Sequence, residues 1–149
     1  MVDKSIINYV RFGMQSSELL PNMITEELEI QPTRSYARGD EYVTHTSKTE
    51  KGVRKRESGV WQVSSKGTVQ TDNLQDHIGY IIDLLHPKQA EIRTILSNPE
   101  VYVDVCIWVE SDEPVHSIML PSKSVSLLAA LCRDINISVI SRGGISTDK

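Results

Sequence analysis

Apolar and polar positions alternate along SIINYVRFGM, residues 5–14: Ile6, Asn8, Val10 and Phe12 share one face, and Ile7, Tyr9 and Arg11 the other. A period of two is the mark of a β-strand. After a turn at Gln15, Ser16 and Ser17 the period lengthens. Leu20, Ile24 and Leu28 fall on one stripe of a short helix, with Pro21 in its first turn and Glu26, Glu27 and Glu29 off the stripe. Pro32 biases Gln31 away from helical angles, and Gly39-Asp40 reads as a turn. Residues 41–65 then read as an antiparallel hairpin. EYVTHT is its first arm, SKTEKG its turn, and VRKRESGVWQVSS a second arm anchored by Trp61, with Gly59 suited to a bulge or a close backbone approach.

Asp72 is the expected cap of the next helix, with Gln75 at the capping-box position. Leu74, Ile78, Ile81, Ile82 and Leu85 keep helical spacing; Pro87 interrupts, and Ile92, Ile95 and Leu96 resume it up to Asn98-Pro99. VYVDVCIWVE is the clearest strand, with Val101, Val103, Val105, Ile107 and Val109 on one face. VHSIML is expected to pair back on it. Ser122 is expected to cap a helix carrying Val125, Leu128 and Cys132, and INISVIS to close the fold with Ile135, Ile137 and Val139 buried. Up to residue 110 the order is strand, helix, two strands, broken helix, strand, the ferredoxin-like or split βαβ order. The predicted class is therefore α+β. It has one antiparallel-to-mixed sheet with helices on one face, extended by a C-terminal strand–helix–strand unit. A single domain is expected over 1–149, ordered from about 5 to 141, with a flexible tail over 142–149.

Composition narrows the function classes. The chain has 149 residues and a net charge of −4, which fits a cytoplasmic protein and speaks against strong non-specific nucleic-acid binding. No apolar run approaches the roughly 18 residues of a membrane span, and the first ten residues lack the pattern of a secretory signal. Cys106 and Cys132 match no metal or redox spacing and read as buried, reduced thiols. His45, His77, His86 and His116 fall in different elements, so neither a metal nor a cofactor is expected. Nucleophile elbows, phosphate loops and metalloprotease motifs are absent. Two acidic pairs, Glu26 with Glu29 and Asp112 with Glu113, read as solvated charges.

Charge segregation is the sharpest chemical signal. Residues 34–66 hold eight Lys or Arg and four Asp or Glu, a net +4, and the remainder of the chain is −8. Arg34, Arg38, Arg54, Lys55 and Arg56, with Trp61 beside them, are the candidate site for a phosphate or carboxylate, because guanidinium groups present forked donors. The competing reading is that the cations keep a hairpin edge from aggregating. An RNA-recognition reading needs stacking aromatics on two central strands; Trp61 is the only aromatic on the second and reads as a core plug. Trp108, whose strand mates Tyr102, Asp104 and Cys106 are not uniformly apolar, is open to a functional role unless helices cover that face.

The runs ITEELEIQPTRSYARGD, GVWQVSS and LQDHIGYIIDLLHPKQAEI, in this order, resemble domain-of-unknown-function family 4279. Ile24, Thr25, Ile30, Pro32, Thr33, Gly39 and Trp61 carry the resemblance, which spans about Tyr9 to Val139. Glu29 departs from it, standing where the family often has glycine. The resemblance implies a small bacterial domain and brings no catalytic residue. The expected function is a non-enzymatic binding domain, regulatory or immunity-like, that recognises a protein or a small anionic ligand as a monomer or homodimer. An enzyme that clamps an anionic substrate with Arg34, Arg38 and Arg54 is the second reading, and a weak nucleic-acid binder the third.

Overall fold

The structure, a computed structural model, describes residues 6–45 and 50–142. In chain order the elements are β1 (Ile6–Ser16), α1 (Pro21–Leu28), β2 (Arg34–Tyr36), β3 (Glu41–His45), β4 (Lys51–Lys55), β5 (Gly59–Ser64), α2 (Leu74–Leu85), α3 (Gln89–Leu96), β6 (Tyr102–Ser111), α4 (Ser122–Ala129) and β7 (Asp134–Ser141). They build an α+β fold with a five-stranded mixed sheet, ordered β2-β5-β1-β6-β7, and a separate two-stranded sheet of β3 and β4. Strand β1 runs antiparallel to both β5 and β6, β2 antiparallel to β5, and β6 parallel to β7.

One face of the large sheet carries the core. Val10, Phe12 and Met14 from β1, Trp61 and Val63 from β5, and the alternate residues Val103 to Val109 of β6 pack against Ile24 and Leu28 of α1, Ile78, Ile81 and Leu85 of α2, Ile92 of α3 and Leu128 of α4. Each large side chain fully buried there contributes about 1.5–3 kcal/mol. The broken helix follows the expected plan, with a 3-10 turn at His86–Lys88 around Pro87 between α2 and α3. Gly59 sits where its backbone meets the Leu19 carbonyl, so a Cβ would collide with it.

Several expectations are corrected. The turn at Gln15 and Ser16 is strand: Gln15 pairs with Val60 and Tyr102, and Ser16 with Gly59. Leu20 is 56% exposed, since α1 starts after it and buries Pro21, Ile24 and Leu28. The hairpin of 41–65 is two objects. Its true arms are β3 and β4, while Trp61 belongs to β5, which pairs with β1 and with the short strand β2. The cap of α2 is Asn73, whose Oδ1 accepts from the Gln75 N–H (2.9 Å). Asp72 instead offers its carbonyl to Asn8 Nδ2.

VHSIML forms no strand. Both edges of β6 are taken, by β1 and β7, and the segment crosses to the helices, with Met119 O accepting from Gln75 Nε2 (2.8 Å). Parallel neighbours require such a crossover. Ser122 is the first residue of α4, after the cap position Pro121, and makes no side-chain cap. Ile137 and Val139 share the core-side face but are 47% and 46% exposed, because β7 is an edge. Arg142, expected in the tail, donates its N–H to Ser111 O (2.8 Å) and pairs with Glu110 (3.0 Å). The turn residues 46–49 and the tail from 143 onward lie outside the described residues.

Among the described residues, the two buried polar ones, Ser65 and His77, are partnered. Ser65 Oγ accepts the Val10 N–H (2.9 Å) and lies 2.6 Å from His77 Nδ1, while His77 Nε2 lies 2.8 Å from Thr71 O. A carbonyl only accepts, so Nε2 carries a proton; in the neutral ring Nδ1 then accepts from the Ser65 hydroxyl. The network ties the end of β5 to β1 and α2.

Glu29, at the C-cap of α1, has φ 56° and ψ 36°, the left-handed conformation that favours glycine. Glu29→Gly is therefore expected to raise unfolding free energy by about 0.5–1 kcal/mol. The surface pair with Lys88 (3.7 Å) that it removes contributes little. Urea denaturation of the two proteins measures the difference, and unchanged or lower stability would refute the account.

Candidate functional site

The basic segment folds as a ribbon held at its base. Strands β3 and β4 pair Glu41 with Lys55, Tyr42 with Arg54 and Val43 with Val53, and Glu41 opposite Lys55 sets unlike charges across the ladder. Gly39, at φ +92°, makes the turn into β3. Its N–H donates to Arg56 O (2.9 Å), the Arg56 N–H donates to Asp40 O (2.7 Å), and the Asp40 carboxylate accepts from the Ala37 N–H (2.8 Å). A lone two-stranded hairpin is marginal in water. Here the Arg56 guanidinium anchors it, 4.1 Å from the centre of the Tyr36 ring on β2 and 3.8 Å from that of Tyr42 on β3.

Beside this clamp lies a hollow of about 340 Å³ lined by Tyr36, Tyr42, Arg54, Lys55, Arg56, Glu57 and Ser58. It sets three cations against one carboxylate. A guanidinium that stacks on a ring keeps its in-plane N–H donors for an oxyanion. Arg54 and Lys55 are exposed on β4. They also keep the edge of a free ribbon charged, so the gripping and protective roles are compatible at these positions.

The other sequence candidates separate from this hollow. Arg34 is on β2 opposite Gln62, with its guanidinium 5.4 Å from the Tyr36 ring. Arg38 is exposed and pairs with Glu18 (3.2 Å). Trp61 is fully buried, edge-on to Phe12 (6.4 Å, 83°), with Nε1 donating to Thr25 Oγ1 (3.1 Å). The indole therefore cannot contact a ligand at the ribbon. Tyr36 and Tyr42 were missed by sequence reasoning; the signal available was an aromatic on each side of the Gly39-Asp40 turn.

The sheet face away from the helices is polar and partly open. Tyr9 stacks on Trp108 (5.7 Å, 15°), whose Nε1 donates to Glu110 (3.0 Å), and Lys66 lies over Tyr9 at 5.3 Å. Arg11 pairs with Asp104 (3.1 Å), which also accepts from Asn136 Nδ2 (3.1 Å). Burial raises the Tyr9 pKa, with Cys106 and Glu110 adding to the rise and Arg11 opposing it. Tyr9 and Trp108 thus already have ring partners on this face, whereas Tyr102 is 43% exposed.

Burial also pushes the Cys132 thiol up to about 11, with Asp104 and Asp134 adding to the rise; it stays a thiol at neutral pH and is a poor nucleophile. Among the described residues, no three His, Cys, Asp or Glu side chains gather as a metal site, and no helix is long and apolar enough to cross a membrane. No curated protein and no solved structure matches the chain. A family model described as a domain of unknown function (DUF4279) matches residues 6–141, nearly the whole chain, and the protein belongs to that family.

Proposed function

We propose that the chain is a binding domain rather than an enzyme, and that the hollow beside the ribbon takes a carboxylate or phosphate group. The observation that carries the reading is Arg56, held against the rings of Tyr36 and Tyr42, lining the same hollow as Arg54 and Lys55. Pre-organised guanidinium groups lose little entropy on binding an oxyanion. A ferredoxin-like scaffold is part of the proposal. Its support is the neighbour order β2-β5-β1-β6, in which β5 separates β1 from β2 and β1 separates β5 from β6. That is the interleaving of two split βαβ units, with the ribbon inserted after β2 and α4–β7 appended. Free thiols at Cys106 and Cys132 support a bacterial cytoplasmic setting, where disulfides are rare.

Glu57 in the same hollow favours one second reading, an enzyme on an anionic substrate, with Arg54 as clamp and Glu57 as the titratable group. Arg34 and Arg38, the other members of the expected clamp, do not line the hollow.

Titration with inorganic phosphate and with citrate at low ionic strength, followed by amide shifts, tests the binding proposal. Shifts at residues 54–58 are expected, and they should be lost in Arg54→Gln/Lys55→Gln. Because both side chains are exposed, the melting temperature should move by no more than a few degrees, as for a change within about 0.5 kcal/mol. No shift with either anion, or equal shifts in the double variant, would overturn the site.

A further inference from the structure

We propose that two copies of the chain associate through the outer edge of β7, which pairs antiparallel with its counterpart about a two-fold axis at Ser138. This edge is at the far side of the sheet from the ribbon, so the inference does not depend on the anion site.

Long free edges are ordinarily blunted by shortness, charge, proline or cover. The opposite edge, β2, is three residues long and flanked by the Tyr36–Arg56 contact. Strand β7 has eight residues, with no proline and no charge from Ile135 to Ser141, and among the described residues no strand pairs with its outer side. The Arg142 N–H bonds to Ser111 of β6. Successive residues of a parallel ladder turn their N–H and C=O to opposite sides, so Ile135, Ile137, Val139 and Ser141 turn theirs outward. Four residues thus present a backbone edge ready for another strand.

The occupant is a second copy because the edge is self-complementary, as a two-fold interface requires. An axis at Ser138 sets Ile137 opposite the partner's Val139, covering the two half-exposed apolar side chains of the strand. It sets Ile135 opposite the partner's Ser141, so outward-facing backbone groups meet each other along the whole ladder. It also brings exposed Asp134 opposite the partner's Arg142, an attraction that adds to the contacts of Arg142 with Glu110 and Asp112. An axis at Ile137 would instead set Asp134 against the partner's Ile140. The paired Ile137 and Val139 side chains extend an apolar hollow of about 230 Å³ between β7 and α4, lined in part by Leu120, Val125 and Ile135.

Sedimentation of the full chain tests the association: a species of twice the 16.7 kDa chain mass is expected at micromolar concentration. Ile137→Lys, a change at an exposed position, should return it to one chain mass with its circular dichroism unchanged. Register is tested by cysteine cross-linking in a Cys106→Ser background. Ser138→Cys lies on the axis and should oxidise to a covalent dimer, whereas Ile140→Cys, four positions from its own copy across the axis, should not. A single-chain mass for the parent protein at 100 µM, or equal cross-linking of the two cysteine variants, would overturn the proposal.

Discussion

Trp61→Ala is expected to lower unfolding free energy by roughly 3–5 kcal/mol, the range for truncating a buried aromatic. The indole is fully enclosed, in register with Met14 on one side and Ser35 on the other. Its edge meets Phe12, and its N–H satisfies Thr25 on α1. Removing it opens a cavity between β5 and α1 that the surrounding rigid sheet cannot close. Trp61→Phe keeps most of the packing and loses the hydrogen bond, so its cost should be clearly smaller. Urea denaturation of the three proteins orders them. A loss below about 1 kcal/mol for Trp61→Ala, the size of a surface change, would mean that the indole does not join sheet to helix.

Ser65→Ala is the second large effect. The change removes one oxygen yet strands two buried groups, the Val10 N–H and His77 Nδ1. Each buried polar group left without a partner costs about 1–3 kcal/mol. His77→Phe in the same background removes one of those stranded groups. The double variant should therefore cost less than the sum of the two single changes, the signature of groups in one network. Strict additivity in denaturation measurements would show that the serine and the histidine act separately.

Legibility in the sequence followed the range of the forces involved. β1, β6 and α2 were plain because each buries a periodic set of side chains that local spacing reveals: Val10 and Phe12, Val103 to Val109, and Ile78 to Leu85. The departure from glycine at Glu29 left the end of α1 open, and its left-handed backbone came only from the structure. β2 was not legible, since three residues carry no period; Arg34 to Tyr36 are a strand because β5 offers them an edge. Reading 41–65 as one hairpin failed for the same reason. Gly59 to Ser64 alternate as any strand does, and their partners lie some fifty residues away in β1 rather than next to them in the chain. At the candidate site, Arg54, Lys55 and Arg56 stood out by charge alone. The rings that fix Arg56 come from Tyr36 and Tyr42, on two strands of different sheets.

By itself the sequence determined that β1, β6 and α2 form and which face of each is apolar, because those are consequences of covalent spacing and side-chain solubility. It also determined that positive charge is concentrated between residues 34 and 66. Tertiary structure alone decided which edges meet, and so which cations end up beside aromatic rings and which strand keeps an open side. Those outcomes depend on backbone hydrogen bonds and packing between residues far apart in the chain, whose free energy is set only when the whole sheet has formed.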